Sequence, residues 1–368
     1  MNGALEKTIT LILLIVLGLL LKSKFSNKDQ TNGIKEIVLS VALPSTIFIA
    51  LMKINIDSKM IFVPVLTIVF NFFMFFITPP LLSFFGVDKN SSVGRTVTML
   101  VPSLAPGLSC FPFISEFLGE ESLAMGALAD VGNKFFVLIF LYLVAMNMFL
   151  RNTKSESSGV GEKIKSLIIS LFKEPINLIM IAALVLLGFG YNYKSVPPIV
   201  ADLFDKTSAM MTPLVLIFIG LAVQLKKGNK RMVFSILAFR AGITLLFSAI
   251  VIKLLHITDP TMVLIATVIP QSSASFWPFA HISAFNAKED SLELPKEKRT
   301  FNLELAVLIL AFSLPFSTLL ILGILSAGKL FVNPTVTVAS GFILILLGIV
   351  PNLLGRVFVR ISDPMMKN

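Results

Sequence analysis

Two stretches of this sequence mix prolines with small hydroxyl residues in otherwise apolar surroundings. The first, LVPSLAPGLSCFPF (100–113), holds Pro102, Pro106, Gly107 and Pro112, with Ala105, Ser109 and Cys110 among them. The second, IPQSSASFWPF (269–279), places Gln271, Ser272, Ser273 and Ser275 between Pro270 and Pro278. Proline lacks a backbone donor and clashes with the carbonyl four residues back, so each stretch predicts an interrupted helix. Freed amides, carbonyls and hydroxyls suit reversible binding of a small polar solute. They supply no activated nucleophile.

The titratable groups in apolar surroundings are few. Asp130 and Lys134 are four residues apart and share one helix face, with Asn133 beside them. Asp130 is read either as a structural partner of Lys134 or as a coupling group that binds a proton or a cation, with Asn133 next to it. Arg240 either neutralises Asp130 or holds a substrate carboxylate with its planar fork. Glu304 is a weaker site candidate, Lys173 and Glu174 snorkel, and Trp277 reads as packing. A charge at the centre of a bilayer costs at least about 2.5–3.5 kcal/mol, so each such group needs a partner or a task. The single cysteine, Cys110, excludes an internal disulfide framework and a cysteine-based zinc site. His256 and His281 are the only histidines, and no metal site or cofactor is expected. An intramembrane protease needs two embedded aspartates, or a serine with a histidine at matching depth. Only Asp130 is convincingly embedded, and His281 has no nucleophile near it in sequence.

These groups sit in a chain of 368 residues that is 55% hydrophobic and 14% charged, with a mean hydropathy of +0.89. Soluble domains carry about 25% charged residues, and each membrane crossing uses roughly 20 largely apolar ones. Apolar segments fall at 5–21, 36–52, 60–85, 93–118, 122–150, 166–190, 207–225, 232–255, 261–285, 301–327 and 335–355. Helix is the element that satisfies runs of this length in lipid. Lys22-Ser23-Lys24-Phe25 follows the first segment in place of a small-residue cleavage site, so that segment reads as a retained helix.

The net charge of +10 is topological and does not point to nucleic acid. With eleven crossings, 21 lysines and arginines fall on one side and 6 on the other. The basic side is cytoplasmic. The expectation is a multi-pass protein of the cytoplasmic membrane, with its N-terminus outside and its C-terminus in the cytoplasm.

The halves echo one another. Pro44 and Pro213 are 169 residues apart, and Val101-Pro102 and Ile269-Pro270 are 168 apart. Ile114-Ser115-Glu116-Phe117 and Ile282-Ser283-Ala284-Phe285 share the 168 offset, and Asn71 and Arg240 share 169. Five crossings per repeat is odd, so the second repeat enters the membrane inverted, a recurring transporter architecture. The expected fold is an all-α integral membrane protein of two inverted five-helix repeats plus one extra C-terminal helix. Segments four and nine are its broken, crossing helices. The repeats span 1–150 and 166–327, a cytoplasmic linker covers 151–165, and 328–368 adds a helix and a tail. Matched interrupted segments point to the binding site. Each second half-helix offers a positive end of about half a charge, which favours an anion.

In order and spacing the chain resembles the auxin efflux carrier family, which includes plant auxin exporters and bacterial malate and malonate permeases. The resemblance covers about 5–327. It rests on VLSVALPSTIFIAL (38–51), GLSCFPF (107–113) with the Gly-Glu-Glu turn at 119–121, LADVGN (128–133), TPLVLIFIGLAVQL (212–225) and the proline-and-serine stretch of segment nine. It implies that segments one, two, six and seven form a dimerising scaffold. Three to five and eight to ten would form a mobile domain that moves as an elevator. Where the family typically carries asparagines near the two breaks, this chain has Ala105 and Ala274.

The leading expectation is therefore a secondary transporter for a small organic anion, working in a lipid bilayer as a homodimer, with or without coupling to H+ or Na+. A sodium-coupled carrier of the related bile-acid type is one alternative. A channel, a receptor or an intramembrane enzyme is another. The site residues expected are Ala105, Pro106, Gly107, Ser109, Cys110, Gln271, Ser272, Ser273, Ser275 and Arg240, with Asp130 and Asn133 for a coupling ion.

Overall fold

The structure, a computed structural model, describes residues 3–25, 27–53, 62–153, 161–162, 165, 169, 175–222 and 230–362. The linker positions 154–160 and 163–164 lie outside the described residues. So do Lys59, Lys173, Glu174, Lys226, Lys227 and Lys367.

Apolar runs fold into helices wherever they are described. The first helices are α1 (Gly3–Leu21), α2 (Asp29–Lys53) and α3 (Phe62–Phe85). Segment four is split into α4 (Ser92–Leu100) and α5 (Phe111–Leu118), with a single helical turn at Pro106–Ser109 between them. Then come α6 (Glu120–Thr153), α7 (Pro175–Gly188), α8 (Pro198–Ala222) and α9 (Lys230–Leu254). Segment nine is split into α10 (Pro260–Val268) and α11 (Phe276–Ser291). The chain ends with α12 (Leu303–Ser326) and α13 (Pro334–Ser362). Six of these, α2, α3, α6, α8, α9 and α12, are long and apolar enough to cross a membrane unaided. Among the described residues the only β-type pairing is one isolated antiparallel bridge, between Ala105 and Ser273. The molecule is an all-helical, multi-pass membrane protein.

Caps and close contacts fix the helix ends and neighbours. The Ser91, Asp259 and Asn302 side chains cap α4, α10 and α12 by accepting from backbone N–H groups in their first turns. Gly119, at φ 85, turns the chain from α5 into α6 in a conformation that disfavours any side chain. Gly18 of α1 and Gly220 of α8 meet at van der Waals contact, where an added Cβ would strike the opposing backbone. Small residues at such crossings are how membrane helices approach closely.

The buried apolar residues form two cores. One joins Leu11 of α1, Ile47 of α2, Ile176 of α7 and Ile219 of α8 to Phe111 of α5 and Leu264 of α10. The other holds Phe70 of α3, Met99 of α4, Phe136 of α6, Leu237 of α9, Phe285 of α11 and Leu305 of α12. No described residue of α1, α2, α7 or α8 belongs to the second core. Among the described residues, α1, α2, α7 and α8 therefore join the apolar interior through the first core alone. The second group is also tied by polar bonds at its end. Arg95 Nε donates to the Thr300 carbonyl at 2.7 Å, and Glu289 Oε1 accepts from the Thr300 N–H at 2.9 Å.

Candidate functional site

After Leu100 the chain leaves the helix, and Val101 to Leu104 present carbonyls that no helical turn satisfies. Buried polar groups left unpaired cost about 1–3 kcal/mol each, and here side chains from three helices take them up. Arg240 of α9 donates from Nε to the Val101 carbonyl at 2.8 Å and from Nη2 to the Ser103 carbonyl at 3.1 Å. Asn71 of α3 donates to the intervening Pro102 carbonyl at 3.0 Å. Asn133 of α6 then treats Leu104 as a strand partner would. Its Nδ2 donates to the Leu104 carbonyl at 2.8 Å, and its Oδ1 accepts from the Leu104 N–H at 3.1 Å. The same Oδ1 accepts from Asn71 at 3.1 Å.

The second break is built on the first. Ala105 N–H donates to the Ser273 carbonyl at 2.8 Å, and Ser273 N–H donates to Ser109 Oγ at 2.9 Å. Ser275 N–H donates to Ser103 Oγ at 3.0 Å, and Ala274 N–H to Ser313 Oγ at 3.3 Å. Gln271 Nε2 donates to the Ala241 carbonyl at 3.2 Å, and Ser272 Oγ to the Ile269 carbonyl at 2.6 Å. Cys110 is fully buried, with its thiol 3.7 Å from the Val268 carbonyl. The hydroxyls at both breaks therefore replace missing helical partners.

Beside this crossing lies a cavity of about 270 Å3, walled on its other side by α2 and α7. The crossing contributes Ala105, Pro106, Gly107 and Ser275 to its wall, and α6 contributes Asp130, Asn133 and Lys134. Lys35 and Glu36 of α2 reach it from the facing wall, with Phe276 and Trp277 at the start of α11. Lys134 Nζ lies 3.5 Å from Asp130 Oδ2 and donates to Asn177 Oδ1 of α7 at 3.0 Å. Asp130 Oδ1 accepts from Asn133 Nδ2 at 2.9 Å. The Lys35 ammonium stands 4.8 Å from the centre of the Phe276 ring, within cation–π range.

Of the residues expected from sequence, Ala105, Pro106, Gly107, Ser275, Asp130 and Asn133 share this cavity. Ser109, Cys110, Gln271, Ser272 and Ser273 lie behind its wall, bonded within the crossing. Arg240 faces the opposite side of the unwound stretch, beside a small apolar cavity next to α3, where its Nε and Nη2 hold carbonyls. Pro102 and Pro270 sit at the interruptions. Pro112 and Pro278, expected to break helices, instead fall in the first turns of α5 and α11, where an N–H has no helical partner to lose. Asp130 and Lys134 pair as their spacing predicts. Glu304 is exposed and pairs with Lys296 at 3.6 Å.

Sequence reasoning missed Lys35, Glu36, Asn71, Ser103 and Asn177, and it read the cavity residue Trp277 as packing. Lys35 fell just before the apolar run 36–52 and Glu36 at its first position, because α2 begins earlier, at Asp29. Asn71 and Asn177 are single amides in apolar helices, a signal that marks a buried partner without naming it.

No family model matches the chain. It is 25% identical over 226 residues to an uncharacterized transporter of the archaeon Methanocaldococcus jannaschii, a match that covers 58% of this chain and 69% of that one.

Proposed function

We propose that the protein is a secondary carrier for a small organic anion, with its binding site in the cavity beside the crossed breaks. The observation that carries this reading is the meeting of both interrupted segments with the buried Asp130–Lys134 pair on one pocket of about 270 Å3. Unwound backbone at membrane depth is tolerated where it lines a cavity, and paired interrupted helices are the usual carrier site. The similarity to an archaeal chain named as a transporter agrees with it.

The transport cycle in this reading is of elevator type. Helices α3–α6 and α9–α12 move as one body against α1, α2, α7 and α8, which form the dimer contact. The bridge between Ala105 and Ser273, residues 168 apart, supports two inverted repeats related by a two-fold axis through the crossing. The basic side is cytoplasmic, so the cavity, rimmed by Lys35 and Glu36, is open to the cytoplasm.

Purified protein in proteoliposomes is expected to take up malate, malonate or indole-3-acetate with saturation, and Ala105→Trp, which fills the cavity, to abolish uptake. Non-saturating flux would replace the carrier with a channel. Uptake that demands sodium would favour the bile-acid type of carrier.

A further inference from the structure

We propose that Lys134 holds the carboxylate of the transported solute and that Asp130 takes up one proton for each carboxylate bound. This rests on the carrier reading and specifies its coupling.

The two oxygens of Asp130 are not equivalent. Oδ1 accepts from Asn133 Nδ2 at 2.9 Å, and the same amide nitrogen donates to the Leu104 carbonyl. Moving Oδ1 would therefore disturb the break. Oδ2 lies 3.5 Å from the Lys134 ammonium. A proton placed on Oδ2 leaves the Asn133 clamp intact and loosens the hold on Lys134. Lys134 is also held by Asn177 Oδ1 at 3.0 Å, so the ammonium stays in the cavity when its ion pair opens.

Charge balance then decides the stoichiometry. Among the described residues, the charged groups that face the cavity are Lys35 and Glu36 from α2 and Asp130 and Lys134 from α6, two of each sign. Among the same residues Ile176 lines it from α7, with Asn177 behind, and the crossing and α11 contribute neutral side chains. Arg240 lies on the other side of the unwound stretch. These four charges cancel. A carboxylate entering as an anion would leave one uncompensated negative charge between Leu39, Leu43, Ile176, Phe276 and Trp277, a surface unsuited to it.

The exchange that avoids this is simple. A proton from water in the cavity bonds to Asp130 Oδ2, the Lys134–Asp130 ion pair opens, and Lys134 Nζ pairs with the solute carboxylate. One O–H bond forms, one ion pair replaces another, and the site carries the same net charge before and after. Release reverses each step. Empty and loaded carriers are then equally neutral at mid-membrane and can both reorient, whereas a carrier loaded without a proton cannot. The result is symport of one proton per carboxylate, with the specificity for an acid group residing in Lys134.

The test is calorimetric titration of the full-length protein in detergent with the monocarboxylates indole-3-acetate, lactate and pyruvate at neutral pH. Two buffers of different ionisation enthalpy give the protons taken up per molecule bound. One proton is expected for wild type and none for Asp130→Asn, with at least a tenfold loss of affinity in Lys134→Gln. Should Asp130→Asn fail to yield monodisperse protein, the wild-type pH series decides, since one linked proton weakens binding about tenfold per pH unit over the range of uptake. Wild-type binding without proton uptake, or unchanged affinity in Lys134→Gln, overturns this inference and leaves the carrier reading standing. Failure to bind all three acids overturns the carrier reading, and this inference with it.

Discussion

Ala105 and Ser273 are joined by one backbone hydrogen bond, 2.8 Å from the Ala105 nitrogen to the Ser273 oxygen, at the point where both interrupted segments leave the helix. The two flanking bonds, Ser273 N–H to Ser109 Oγ and Ser275 N–H to Ser103 Oγ, lock the same junction through side chains. The breaks are thus one structure. Neither segment could re-form a continuous helix without stripping partners from the other. This coupling makes the crossing rigid enough to carry a cavity wall.

Asn133 is the keystone of that wall. Replacing it with alanine removes partners from the Leu104 N–H and carbonyl, from Asn71 Nδ2 and from Asp130 Oδ1. One unsatisfied buried group costs about 1–3 kcal/mol, so Asn133→Ala is expected to lower unfolding free energy by at least about 2 kcal/mol. Unfolding in detergent, followed by Trp277 fluorescence, measures it. A loss below half a kilocalorie would mean that water replaces the amide.

Arg240 bonds two carbonyls with two different nitrogens. A lysine offers one ammonium and no fixed fork. Arg240→Lys is therefore expected to insert normally yet cut uptake in proteoliposomes at least tenfold, because the Val101–Leu104 stretch loses its register. Arg240→Lys with wild-type uptake would reduce the guanidinium to a passive counter-charge for the end of α4.

Much of this was legible beforehand, for identifiable reasons. Eleven apolar runs give eleven helical segments among the described residues because lipid leaves the backbone no other partner. Pro102 and Pro270 mark the interruptions because their missing donors cannot be supplied locally. The side chains that repair the breaks were not legible. Arg240 looked like a solute ligand because a lone buried guanidinium suggests an anion, and nothing in sequence tells a carboxylate from an orphaned carbonyl. Lys35 was read as a loop charge because α2 extends past its apolar stretch to Asp29, so hydropathy alone misplaces its start.

The extra helix α13 packs along α9 through glycines. An added Cβ at Gly242 would meet the Gly341 carbonyl at 2.5 Å, and one at Gly348 would meet the Ser235 carbonyl at 2.7 Å. Bulk here cannot be absorbed by a flexible side chain, because the opposing atoms are backbone. Gly242→Leu and Gly348→Leu are expected to detach α13 and expose α9 to protease. Limited proteolysis in detergent measures this, with new cleavage in α9 expected in both variants. A cleavage pattern identical to wild type would place the α9–α13 contact elsewhere.

At the end of α2 far from the cavity, Lys53 pairs with Glu120 of α6 at 3.0 Å, and Lys7 of α1 donates to the Glu116 carbonyl at 2.6 Å. These contacts join the two groups of helices on the face that the first core already seals. Both members of the Lys53–Glu120 pair are close to half exposed, at 40% and 46%, so the pair adds little to folding, on the order of 0.2–1 kcal/mol. Under the elevator proposal this contact opens when the cavity changes sides, and the same energy would shift the population of the two states by up to about fivefold. Glu120→Gln is expected to leave the melting temperature within a degree of wild type. It should raise the rate at which an impermeant maleimide reaches Ala105→Cys from the Lys53 face by two- to fivefold, in a Cys110→Ser background. The Lys53→Glu, Glu120→Lys double exchange should return that rate to its starting value. An unaltered labelling rate in Glu120→Gln would show that the apolar seal alone keeps that face closed.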